Sequence, residues 1–197
     1  MNKGKCKLTR EDILPMAEYG QQWAEKSKTM SATKRDRRVA VGPDASFYFE
    51  SYETMWHQVH EMLFIEGGGE AQIPSELEAY NPLIPNGCEL VATFMIEIDN
   101  PERRRCVLAG LGGIEKCLTL CVDGKIITGV AEEDIDRTTA EGKTSAVHFV
   151  HFPFTNAQID AFHSGKADVI LAITHDNYSH MAMLSRATRT ALAKDFA

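Results

Sequence analysis

Apolar and polar positions alternate along this chain with two different periods, and the switches between them divide it into elements. Thr9-Arg10-Glu11-Asp12 is a capping-box pattern, followed by a broken apolar stripe of Ile13, Leu14, Met16, Tyr19 and Trp23. Pro15 cannot sit inside a helix, so the spacing predicts a short first turn and a restart near Pro15 that runs to about Met30. Val39-Ala40-Val41 and Ala45 to Glu50 flank the turn residues Gly42-Pro43-Asp44 and predict a β-hairpin. From Ser51 to Ile65 the period becomes helical, with Tyr52, Met55, Val59, Met62 and Leu63 on one side and Gly67-Gly68-Gly69 as the stop.

A short helix is expected from Ile73 to about Asn81, where Pro82 bars its continuation. Cys88, Leu90, Ala92, Phe94, Ile96 and Ile98 alternate with more polar neighbours, which predicts a strand with one buried face. Asn100-Pro101 starts a helix ending near Gly112-Gly113, and Asp123-Gly124 joins Leu118, Leu120 and Val122 to Lys125 to Val130 as a hairpin. After an acidic connection from Glu132 to Glu141, a strand is expected over Ser145 to Phe152, then a helix from Thr155 to Gly165. A strand over Val169 to Thr174, a partner over Met181 to Leu184 and a helix from Ser185 to Ala193 complete the reading. Hairpins joining strands, with helices interspersed irregularly, imply an α+β fold: a largely antiparallel sheet built from hairpins, with helices packed on one face.

At 197 residues, with 44% hydrophobic and 25% charged residues, the chain is expected to form one domain, residues 1–197, with its own core. A net charge of -7 disfavours nucleic acid and anionic membranes as partners. No apolar run approaches a membrane span and the polar start leads into no signal-peptide core, so a cytoplasmic location is expected. The odd set Cys6, Cys88, Cys106, Cys117 and Cys121 reads as reduced thiols. Cys117 and Cys121, if both in one strand, lie roughly 13 Å apart at about 3.3 Å per residue, too far to share a metal ion or a disulfide. Phosphate-binding loops, nucleophile elbows, paired CxxC motifs and His-Glu-x-x-His are absent.

Several phrases carry a resemblance: Leu8 to Ile13, Arg37 to Asp44, Phe49-Glu50, Gln58 with Glu61-Met62, Tyr80-Asn81-Pro82-Leu83-Ile84-Pro85, and Lys143-Thr144-Ser145-Ala146-Val147-His148-Phe149. Together they resemble the bacterial family known as domain of unknown function 3501, over nearly the whole chain. The resemblance implies Arg38, Asp44, Glu50, Gln58, Glu61 and His148 as site residues, with His175 and Tyr178 beside them. Such proteins are often encoded beside rubrerythrin-like and iron-sulfur oxidoreductase-like proteins, which implies service to a redox or peroxide-handling system.

Two functional readings follow. In the first, the chain is an accessory or binding protein with a redox protein partner, assembled as a homo-oligomer, whose surface gathers Glu50, Glu61 and Gln58 near His148, with Arg38, Asp44, His175 and Tyr178 as ligand-binding candidates. In the second, it is an enzyme using Glu50, Glu61 and His148 as ligands of a transition metal or as acid/base groups. Glu53, His57, His60 and Glu61 recur at helical spacing and form a weaker metal candidate. That face lies opposite the apolar stripe, where solvated polar residues belong in any case. His148 and His151 alternate to opposite faces of their strand, so one site cannot use both; His148 shares its face with Ala146, Val150 and Phe152 and is expected to be buried.

Overall fold

The computed structural model describes residues 5–132 and 143–196. Most of the acidic connection expected between Glu132 and Glu141 therefore lies outside the described residues. Thr9 and Asp12 close a single 3-10 turn, Arg10–Asp12, through bonds from the Thr9 N–H (2.9 Å) and hydroxyl (2.8 Å) to the Asp12 carboxylate. Helix α1 (Met16–Asp36) restarts directly after Pro15, as expected, but runs six residues beyond Met30 because its polar tail contains no glycine or proline to stop it. Tyr19 is the one buried residue of this long helix.

Strands β1 (Arg38–Val41) and β2 (Ala45–Phe49) form the first hairpin, with Arg38 opposite Tyr48 and Val41 opposite Ala45. Ser51 then caps α2 (Tyr52–Glu66), accepting from the Thr54 N–H while the Thr54 hydroxyl oxygen accepts from the Ser51 N–H. Next come α3 (Ile73–Tyr80), β3 (Glu89–Ile96) and α4 (Pro101–Ala109), the last capped by Asn100. Asp123 and Gly124 both adopt left-handed backbone, φ 51° and 75°, the geometry a two-residue turn needs to join β4 (Leu118–Val122) to β5 (Lys125–Thr128). The remaining elements are β6 (Val130–Ala131), β7 (Val147–Pro153), α5 (Asn156–His163), β8 (Val169–His175), β9 (Tyr178–Met183) and α6 (Arg186–Leu192). Strand β9 starts three residues before the expected Met181, because Asp176-Asn177 makes the turn without a glycine to announce it.

The fold is α+β and its strand pairs are antiparallel, but the strands divide between two sheets, ordered β1-β2-β3-β7-β6 and β5-β4-β8-β9. The sheets bury one face of each against the other. Phe47, Phe49, Phe94, Phe152 and Val150 of the first sheet meet Leu118, Leu120, Leu171 and Ile173 of the second in one core, to which α4, α5 and α6 add Leu108, Phe162 and Leu192. The opposite face of the first sheet is covered by helix: Tyr52, Met55, Val59 and Leu63 of α2 pack with Ile73, Leu83 and Ile84 over Val91 and Phe149, and α1 packs on α2. The outer face of the second sheet exposes Ile126, Met181 and Met183. Among the described residues no helix is long and apolar enough to cross a membrane.

The run expected as one strand from Lys125 to Val130 breaks at Gly129, where the chain passes from one sheet to the other. A Cβ there would lie 2.7 Å from Val150 Cγ1, 3.0 Å from Phe152 Cε1 and 3.2 Å from the Leu118 carbonyl oxygen. Gly129→Ala is expected to destabilise the protein by about 1–3 kcal/mol through overpacking, read as a lower urea midpoint with an unchanged slope.

Candidate functional site

At the end of β2 the backbone N–H of Glu50 donates to the Val91 carbonyl (2.8 Å), and Ser51 begins the cap of α2. The Glu50 side chain is thereby held in the seam between helix and sheet, 8% exposed. Thr54, one helical turn on, donates its hydroxyl to Oε2 (2.6 Å), and Thr93 of β3 donates to Oε1 (2.7 Å). This carboxylate opens onto a pocket of about 400 Å³. Met55, Leu83, Met95, Val147 and Phe149 supply its apolar lining, with Gln58, Tyr48 and Tyr80 as further polar groups and Lys34 and Arg37 contributed by the end of α1. The volume falls in the roughly 300–1,000 Å³ range of small-molecule sites.

Two cations line the pocket and neither neutralises Glu50. Arg37, itself buried, donates to the carbonyls of Phe49 (2.8 Å), Glu50 (2.6 Å) and Ala191 (3.3 Å) and forms a very short ion pair with Asp195. Burial pushes the Asp195 carboxyl up to about 6 against the pull of Arg37. Among the described residues, no Lys, Arg or His nitrogen lies within 4.0 Å of the Glu50 carboxylate, Lys34 forms no ion pair, and the Gln58 side chain makes no hydrogen bond.

The other expected site residues lie elsewhere. Glu61, farther along α2, accepts a 2.6 Å hydrogen bond from the hydroxyl of Tyr19 on α1, and that hydroxyl stands 3.2 Å from His57 Nδ1. Burial and the Glu61 carboxylate raise the Tyr19 phenol, and burial lowers His57. His60 is fully buried with both ring nitrogens used: Nδ1–H donates to the Trp56 carbonyl (2.6 Å) and Nε2 accepts from the Leu14 N–H (3.0 Å). The face of α2 expected to be solvated is therefore covered by α1 at His57 and His60, while Glu53 stays exposed. His148 points into the core between the sheets, its ring 5.9 Å from Phe94 and its Nε2 3.0 Å from the Thr144 hydroxyl. Glu50 and Gln58 thus share the pocket, whereas Glu61 is taken by α1 and His148 lies behind the sheet. His151, on the helix-covered face, pairs with Glu89 (3.0 Å) and Glu132 (3.4 Å), which raise its pKa.

Arg38 borders the pocket at second hand: its guanidinium lies 5.2 Å over the Tyr48 ring and pairs with Glu97, which also accepts from the Tyr48 hydroxyl (2.8 Å). Asp44 and Tyr178 come together for a structural purpose. Tyr178 donates to the Val41 carbonyl and accepts from the Asp44 N–H, while Arg103 grips the Asp44 carboxylate in a fork (2.8 and 2.6 Å). His175, the last residue of β8, holds the Gly112 carbonyl (3.2 Å). Among the described residues, no three His, Cys, Asp or Glu side chains are placed to hold a metal ion. Cys117 lies in the turn before β4, and Cys121 within that strand.

A larger cavity, about 580 Å³, separates α1 from α2 beside Trp56 and His57. Of its charges, Asp12 pairs with Lys5 at 2.5 Å and Lys26 stands 4.6 Å over the Trp56 ring, while Glu25 and Glu53 are exposed to solvent. Burial opposes ionisation of Asp12, but hydrogen bonds from Lys5 and Thr9 outweigh it and hold the carboxyl well below the usual range. The smaller pocket differs in that its carboxylate, Glu50, is buried. Of its residues, Thr54, Thr93 and the apolar wall were not singled out by sequence. Thr54 had a local signal, one turn from Glu50, whereas Thr93 is 43 residues away and had none.

The fold and pocket define an α+β protein of two antiparallel sheets with a small-molecule-sized site under its second helix. The chain belongs to the family described as protein of unknown function (DUF3501), which it matches over residues 7–196. A crystal structure of a novel protein of unknown function from Burkholderia pseudomallei is similar, at 35% identity and a TM-score of 0.90, covering 97% of this chain and 100% of that one. No curated protein matches.

The buried imidazole of His60 makes stability depend on pH. Burial lowers its pKa from 6.5 to about 4, so the fold favours the neutral ring. That contribution is complete above the unfolded value and is lost as pH falls from 6.5 toward 4. Urea titrations are expected to show wild type losing about 3 kcal/mol more than His60→Gln across this window.

Proposed function

We propose that this chain is an accessory binding protein serving a redox or peroxide-handling system, and that its pocket takes a small amphipathic molecule bearing a cationic nitrogen. The carrying observation is Glu50: a buried carboxylate fixed by two threonine hydroxyls, open to the pocket, with no cation at ion-pair distance among the described residues. Burying an ionised carboxylate without a counter-charge is costly, and a ligand ammonium group offsets that cost. The apolar wall of Met55, Leu83, Met95, Val147 and Phe149 suits a hydrocarbon or aromatic body, and the unengaged Gln58 amide supplies a donor and an acceptor. The redox setting, with a redox protein partner and self-association, rests on the family resemblance. The metal-enzyme reading has no observation in its favour, since Glu50, Glu61 and His148 do not share a site.

Calorimetric titration with phenethylamine tests the binding role. Saturable one-to-one binding is expected, with phenethyl alcohol binding far more weakly. Glu50→Gln, which keeps the threonine contacts within reach, is expected to weaken the amine at least about tenfold while circular dichroism stays unchanged. Absence of amine binding, or equal binding by the alcohol and by the variant, would overturn the reading.

A further inference from the structure

We propose, resting on that reading of the pocket, that its occupant is a zwitterion: an amino acid-like molecule with an apolar side group, its ammonium on Glu50 and its carboxylate on Lys34. Beside Arg37, which is paired with Asp195, the pocket holds two opposite formal charges, and neither is matched among the described residues. Glu50 has hydroxyl partners only; Lys34 has no ion-pair partner among the described residues; the two are not within 4.0 Å of each other. Arg37 is the weaker partner for the ligand anion, because its charge is paired with Asp195 and each of its three nitrogens already donates within the protein.

A molecule carrying one charge answers half of this arrangement. A lone amine satisfies Glu50 but meets an unneutralised ammonium in the same cavity; a lone carboxylate does the reverse. A zwitterion answers both, and the difference in burial sets its direction. Glu50 is buried and Lys34 half-buried, so the amino end lies inward and the carboxylate toward solvent. The side group then rests on Met95, Val147 and Phe149, on the helix-covered face of β3 and β7.

Because Lys34 is partly solvated, its contribution is modest, about fivefold in affinity. Four probes separate the terms in calorimetric titrations: phenethylamine, phenylalanine, its β-amino acid homologue β-homophenylalanine, and hydrocinnamate. The expected result is that one of the two amino acids binds several-fold tighter than phenethylamine, with hydrocinnamate weakest. Lys34→Met is expected to erase that gain while leaving phenethylamine binding unchanged or improved, since a like charge is removed. If phenethylamine binds and neither amino acid exceeds it, or if the gain survives Lys34→Met, the zwitterion assignment falls and the amine-binding reading stands. If no amine-bearing probe binds, both fall together.

Discussion

The double burial of the first sheet is the constraint on which the rest depends. Strands β3 and β7 are enclosed on both sides, by the second sheet and by α2, so each successive residue is committed to one of two interiors. Phe94 pairs with His148 toward the core, and Thr93 pairs with Phe149 toward the helix. A one-residue slip would exchange the two sets, placing an imidazole and phenyl rings under α2 and Thr93 in an aromatic core. Register therefore decides the chemistry of the pocket before any ligand is considered. It also explains why the nearness of α2 to β7 does not bring His148 into the site: the strand lies alongside, but this side chain faces away.

Arg37 turns that layered core into a pocket with an unanswered charge. Its guanidinium is next to Glu50 in space, yet it binds Glu50 through the backbone carbonyl and directs its charge to Asp195 near the end of the chain. One buried cation thus ties together the end of α1, the end of β2 and the C-terminal segment, where unpaired carbonyls would be costly. The Glu50 carboxylate is left with neutral donors. Two hydroxyls fix its orientation without cancelling its charge, an arrangement suited to receiving a cation from outside.

Much of the fold was legible because its signals are local. Thr9-Arg10-Glu11-Asp12 followed by Pro15 gave the broken start of α1; Ser51, Asn100, Thr155 and Ser185 stand at helix starts; Asp123-Gly124 makes its hairpin. The division into two sheets was not legible, since it turns on Gly129 meeting Val150 and Phe152 across the core, a contact without local trace. The site was legible in the same uneven way. Glu50 and Gln58 lie within eight residues on consecutive elements, and both line the pocket. His57 and His60 looked like a solvated pair because α2 read alone has an apolar and a polar side; Tyr19, near the start of α1, covers them, and nothing in α2 announces that cover.

Helix α1 shows why a polar element can still be structural. It fully buries Tyr19 alone, with Met16 and Trp23 in partial apolar contact, so its docking leans on specific contacts near its two ends. Near the start, Tyr19 engages Glu61 and His57 and stacks near His60, while Leu14 just before the helix donates to that same ring. At the far end, Arg37 reaches the C-terminal segment, and Lys34 lines the pocket without an ion-pair partner among the described residues. The stretch between makes lighter contacts with α2, Trp23 stacking on Phe64 and Lys26 standing over Trp56. A ligand touching Glu50 and Lys34 would therefore bridge the far end of α1 to the helix and sheet beneath it, adding a third tie where the protein has few. Binding and the docking of α1 are then linked by mass action: whatever loosens that end weakens the ligand, and the ligand in turn steadies that end.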